Sequence, residues 1–90
     1  MNKPKDYSKD AEILKALGHP IRLCIATNLL RQKDSNVGMM VKCMGVAQPT
    51  ISQHLNILKA AGVVNCTRDA NRMLYSFASP RAEKIVKALV

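Results

Sequence analysis

The sequence predicts a mainly α chain with one small β-hairpin, in the order four helices, hairpin, helix. Three observations predict it. Pro20, Pro49 and Pro80 each open an apolar-periodic stretch, and Gly18 and Gly62 each follow one. First helical turns favour proline and helix ends favour glycine, so these five residues bracket helices. Between Gly62 and Ser79 the helical period gives way to alternation around Arg68-Asp69-Ala70-Asn71-Arg72, a polar centre that suits a turn. Ninety residues make one small domain, too short for a barrel or a doubly wound sheet.

Element by element, the spacing predicts helices over about 8–17, 20–32, 37–44, 49–61 and 80–90. Residues 1–7, with Lys3, Pro4 and Lys5, read as a flexible N-terminal arm, and 8–90 as the folded domain. In helix 20–32 the apolar Ile21, Leu23, Ile25, Ala26, Leu29 and Leu30 fill a broad arc, with Cys24, Thr27, Asn28 and Arg31 opposite. Val37, Met40, Val41 and Met44 line one face of helix 37–44, and Cys43 borders that stripe. In helix 49–61 the core stripe is Ile51, Leu55 and Leu58. Val63, Val64, Cys66 and Thr67 are strand-like, Cys66 alternating with Val64 toward the core, and Met73–Phe77 forms the return strand. Ser79-Pro80 supplies an N-cap and a first-turn proline for the last helix.

Charge narrows the function. Fourteen Lys plus Arg against six Asp plus Glu give a net charge of +8 and a pI near 9.8. That imbalance favours a polyanionic partner, nucleic acid first and an anionic membrane surface second, although plain solubility also suits it. No run of eighteen apolar residues exists to span a membrane, and the first residues hold no apolar core of secretory length. The expectation is a cytoplasmic protein. Cys24, Cys43 and Cys66 are odd in number and form no Cys-x-x-Cys pair, so free thiols are expected, with no metal and no cofactor. Two histidines, no paired carboxylates and no phosphate-cradling glycine loop exclude an enzyme.

The chemistry lies in residues 37–61. Two helices joined by the short turn Gly45-Val46-Ala47 form a DNA-reading unit, and the following hairpin makes it a winged helix-turn-helix layout. Gln53, Asn56 and Ala60 point away from the core stripe of the second helix, flanked by Thr50 and Ser52. Glutamine and asparagine pair bidentately with adenine, while threonine and serine reach several bases or phosphates. The expected DNA contacts are Gln48, Thr50, Ser52, Gln53, His54 and Asn56, with Arg68 and Arg72 at the hairpin tip meeting phosphates. The same polar side chains would also suit an ordinary solvated face.

A resemblance sharpens this reading. Residues 12–78, about three quarters of the chain, resemble the ArsR/SmtB family of dimeric winged-helix repressors. Ala16-Leu17-Gly18-His19-Pro20-Ile21-Arg22-Leu23 is similar to that family's entry into its second helix. The run from Ala47 to Val64 is similar to its recognition-helix signature, and Arg68–Tyr75 to its wing. The resemblance implies a sequence-specific repressor, a homodimer through its terminal helices, bound to an inverted repeat in double-stranded operator DNA and released by an inducer. Apolar stripes Ala11, Leu14, Leu17 and Ala82, Ile85, Val86, Leu89 offer the dimer face, since so small a domain lacks room to cover both. A winged-helix interaction module without DNA binding is the alternative of another class.

The inducer site departs from the familiar patterns. Members sensing thiophilic metals commonly carry Cys-Val-Cys where this chain has Asn36-Val37-Gly38, and the last helix offers no histidine and one acid, Glu83. Glu83, beside Arg81 and Lys84, suits surface ion pairs. A metal-responsive repressor would need a non-standard site. The wording of the recognition helix and wing most resembles the BigR/YgaV-like branch, whose members sense reactive sulfur or oxidants through a cysteine on the second helix and one near the end of the last. Here the matching second-helix position is Thr27, with Cys24 one turn earlier, and the other position falls beyond Val90. Cys24 is therefore the expected thiol sensor.

Overall fold

The structure, a computed structural model, describes residues 5–90. Five helices and one hairpin follow in chain order: α1 (Ser8–Leu17), α2 (Pro20–Arg31), α3 (Val37–Met44), α4 (Gln48–Ala60), β1 (Val64–Asp69), β2 (Arg72–Phe77) and α5 (Pro80–Lys87). This is the mainly α winged helix-turn-helix architecture. Residues 5–7 run irregularly into α1, and the remainder of the expected arm lies outside the described residues. The last helix ends at Lys87 rather than 90, where the Ala88 N–H reaches the carbonyls of both Lys84 and Ile85 and tightens the final turn.

Local chemistry explains where the helices start and stop. His19 Nδ1 accepts the Ile21 N–H at 3.1 Å, Asn36 Oδ1 the Met39 N–H at 2.9 Å, and Ser79 Oγ the Ala82 N–H at 3.0 Å. Each cap satisfies one of the donors that an opening helix leaves free. Gly45 ends α3 in the left-handed region at φ 66°, where a side chain would be strained.

One apolar core joins all the helices. Ile25, Met40, Ile51, Leu55, Leu58, Val63 and Val86 are fully buried, with Ile13, Leu17, Leu29 and Ala82 beside them. The recognition-helix stripe Ile51, Leu55, Leu58 thus lies where the spacing placed it. The two terminal stripes divide: Leu17, Ala82 and Val86 pack inside the protomer, whereas Leu14 and Leu89 stay 55% and 61% exposed. Arg81 bridges both carboxylate oxygens of Asp10, at 2.6 and 3.2 Å, tying α5 to α1. The ion pair expected around Glu83 is therefore made by Asp10 instead.

Three side chains differ from expectation. Asn28, expected on the open face of α2, is 4% exposed, because α3 lies along that side. Cys43, expected to border the core stripe, is exposed, since Met40 fills the core position one turn earlier. Cys66 reaches only half-burial, opposite Tyr75 in the hairpin.

The hairpin pairs from Val64↔Phe77 to Asp69↔Arg72, leaving Ala70-Asn71 as a two-residue turn. Ala70 holds φ at 55°, a conformation that costs a non-glycine residue about 1 kcal/mol. Ala70→Gly is expected to raise stability by about 0.5–1 kcal/mol, measured as a shift in the urea midpoint without change in m.

Candidate nucleic-acid interface

The turn Gly45-Val46-Ala47 sets α3 against α4 so that the two share Met40, Ile51 and Leu55 in the core. With that stripe turned inward, helical spacing directs Gln53 and Asn56 outward, and both are exposed. Gln48 and Ser52, four residues apart, take one flank; Thr50 and His54 take the other. Gln48 is exposed and opens the helix, while Thr50, Ser52 and His54 are half-buried. Ala47 gives no side-chain cap, but its carbonyl accepts the Thr50 and Ile51 N–H groups at 3.1 and 3.2 Å, and Pro49 has no N–H, so Gln48 stands at the positive end of the helix.

Arg68 and Arg72 stand exposed on either side of the hairpin tip. Neither is ion-paired among the described residues, where Arg81 with Asp10 is the salt bridge formed. The hairpin is anchored at its base rather than hanging free. Ser35, in the connection between α2 and α3, donates its N–H to the Tyr75 carbonyl at 3.1 Å and accepts the Tyr75 N–H at 2.7 Å. Asn65 and Ser76 bond across the strands at 2.8 Å. Burial and the Cys66 thiol both raise the Tyr75 hydroxyl pKa, burial more, so Tyr75 stays a neutral donor. The site's two parts, α4 and the wing, are thereby held in one frame.

A cluster that sequence reasoning missed locks α4 from behind. The Arg22 guanidinium donates through Nε to the Ala16 carbonyl at the end of α1, and through an Nη to His54 Nδ1 at 3.1 Å. Arginine is always a donor, so His54 accepts as a neutral ring and carries its proton on Nε2. The His19 ring lies 4.5 Å from that of His54, centroid to centroid. Arg22 therefore joins the end of α1, the start of α2 and the recognition helix. The signal for it was the motif Gly18-His19-Pro20-Ile21-Arg22, noted in the sequence only as a family likeness. Among the expected contact residues, the structure brings together those of α4, with His54 turned toward α2 on one flank.

His54 also makes stability depend on pH. Burial first, then the charge of His19 and of Arg22, lowers its pKa below the ordinary 6.5. Unfolding frees the ring to protonate at its ordinary pKa, so the unfolded chain binds more protons as pH falls below about 6.5. Stability is full above that pH and declines as pH drops toward the lower folded value. His54→Gln is expected to flatten this part of the profile of Tm against pH between about 5 and 7.

Comparison with known proteins places this arrangement. Residues 19–65, from the α2 cap to the start of the hairpin, match the family described as bacterial regulatory protein, arsR family. The chain is 38% identical to the biofilm growth-associated repressor of Agrobacterium fabrum over 85 residues, covering 94% of this chain and 72% of that protein. The crystal structure of the transcriptional repressor PagR of Bacillus anthracis superposes with a TM-score of 0.86 at 35% identity, covering 91% of this chain and 93% of that one. The transcriptional repressor BigR from Xylella fastidiosa gives 0.82 at 33% identity, over 90% and 82% of the two chains.

Proposed function

The chain belongs to the arsR family of bacterial regulatory proteins, and from that premise we propose that it represses transcription by reading operator DNA with α4 and the wing. One observation carries the reading: exposed Gln53 and Asn56 face away from the core on a helix followed directly by a wing whose tip bears two arginines with no ion-pair partner among the described residues. Gln53 and Asn56 read base edges in the major groove, with Thr50 and Ser52 beside them. Gln48, at the positive end of α4, and the Nε2–H of His54 meet phosphates, as do Arg68 and Arg72. The net charge of +8 draws the chain to the duplex from a distance.

The working unit is a homodimer through α1 and α5. Leu14 and Leu89 expose apolar surface beside Leu17, Ala82 and Val86, which are already buried, and a second copy covers them at little cost. Two recognition helices related by a two-fold then meet major grooves about 34 Å apart, so the operator is an inverted repeat. Release by a thiol-modifying agent suits a chain with Cys24 and Cys43 exposed. Among the described residues no helix is long and apolar enough to cross a membrane.

The test is selection of binding sites from a random duplex pool, followed by sedimentation of the free protein. Recovery of an inverted repeat and a dimer at micromolar concentration supports the reading. Recovery of no shared sequence, or a 9.9 kDa species alone, overturns it.

A further inference from the structure

We propose that the cleft between the C-terminal half of α2 and α3 is a modification site, where Cys43 reacts with small electrophiles that carry an oxyanion, such as α,β-unsaturated carboxylates. The cleft has a volume of about 260 Å³ and is lined by Asn28, Arg31, Gln32 and Cys43. Its geometry follows from two matched spacings. Gln32 Nε2 lies 3.8 Å from Met39 Sδ, and one turn away on each helix stand Asn28 and Cys43.

Asn28 is the independent sign of a guest. The residue is 4% exposed, yet its side-chain amide makes no hydrogen bond among the described residues. Its polar atoms are not sealed in the core either, since Ser35 Oγ is the fully enclosed side-chain atom without a partner. The space that the amide borders is this cleft. An amide that opens on the cleft without a protein partner is free to bond a polar guest that enters. Arg31 adds a permanent cation whose planar fork matches a carboxylate, and Gln32 adds a second amide. No acidic side chain lines the cleft. The thiol of Cys43 therefore stands beside donors that hold an oxyanion, which brings an attached electrophilic carbon to Sγ.

With an unsaturated carboxylate, Sγ forms a bond to the β-carbon as the carbon–carbon π pair moves to the α-carbon. The α-carbon takes up the proton that the thiol gives to water. Nothing is oxidised or reduced, and no co-reactant is needed. An adduct here would stand between α2 and the first helix of the DNA-reading pair. That consequence rests on the repressor reading, whereas the reaction itself is measured without DNA.

The experiment uses iodoacetate and iodoacetamide, reagents alike except in charge, with the rate at each cysteine of the intact chain followed by peptide mass spectrometry. Cys24 serves as the exposed reference thiol, so effects of overall charge cancel. At low salt the iodoacetate-to-iodoacetamide rate ratio at Cys43 is expected to exceed that at Cys24 by about threefold or more, the effect of one cation a few ångströms away. Arg31→Gln, at an exposed position, is expected to bring the two ratios together, as is salt at about 0.5 M. Equal ratios in the parent chain, or a Cys43 preference that survives Arg31→Gln, would overturn the proposal. Failure to bind DNA would leave the labelling result standing and overturn only the repressor reading.

Discussion

Leu55→Ala is expected to cost about 2–5 kcal/mol of folding stability, a large share of the roughly 5–14 kcal/mol that a chain of this length holds. Leu55 is 0% exposed and sits mid-way along α4, between Ile51 and Leu58 on the stripe that meets Ile25 and Met40. Truncation there removes buried methyl groups and leaves a cavity at the one face that fixes α4. The opposite face of that helix, with Gln53 and Asn56, is exposed and so offers little compensating support. Urea unfolding measures the loss as a lower midpoint at unchanged m. Asn56→Ala, one residue further along, is the contrast. It is exposed, and alanine favours the helix, so stability should stay within about 0.5 kcal/mol of the parent. A loss at Asn56 as large as at Leu55 would mean that the outward face of α4 is itself packed.

The contrast between those neighbours also shows what a sequence makes legible. Prolines and glycines act on their own backbone, so Pro20, Pro49, Pro80, Gly45 and Gly62 announce helix starts and ends without help from distant residues. The inward stripe and outward face of α4 follow from the helical period alone, which is why Ile51, Leu55, Gln53 and Asn56 lie as expected. What escaped depends on partners far along the chain. Asn28 is polar, and only the passage of α3 beside it decides that it is buried. Ser35 carries no strand signal, yet it pairs with Tyr75, forty residues on, because the α2–α3 connection meets the base of the hairpin. The tie from Arg22 to His54 spans 32 residues, and no local rule predicts it. The outward face of α4 was accessible for the same reason that the core stripe was. The Cys43 cleft was not, because it exists only where two helices cross.

Gln53→Ala is expected to weaken binding to the selected operator by about 1–3 kcal/mol, or roughly 5- to 150-fold, while leaving binding to random duplex nearly unchanged. Gln53 lies on the outermost line of α4, and its amide offers both a donor and an acceptor, the pair that a base edge in the major groove can match. Removing it deletes information about one base pair and little charge-based attraction, so specificity relaxes at that position. Arg72→Ala should do the reverse. At the wing tip, with no acidic partner among the described residues, its guanidinium is free to meet, on the proposed reading, phosphates that every sequence presents. Operator and random duplex should then weaken alike, and the slope of log K against log salt should fall by about one, since one fewer counterion is released on binding. The pair is measured as two titrations, operator and random duplex, each at several salt concentrations. Matching profiles for Gln53→Ala and Arg72→Ala would show that α4 and the wing do not divide base reading from backbone attraction. A salt slope unchanged by Arg72→Ala would take the wing tip off the phosphates altogether.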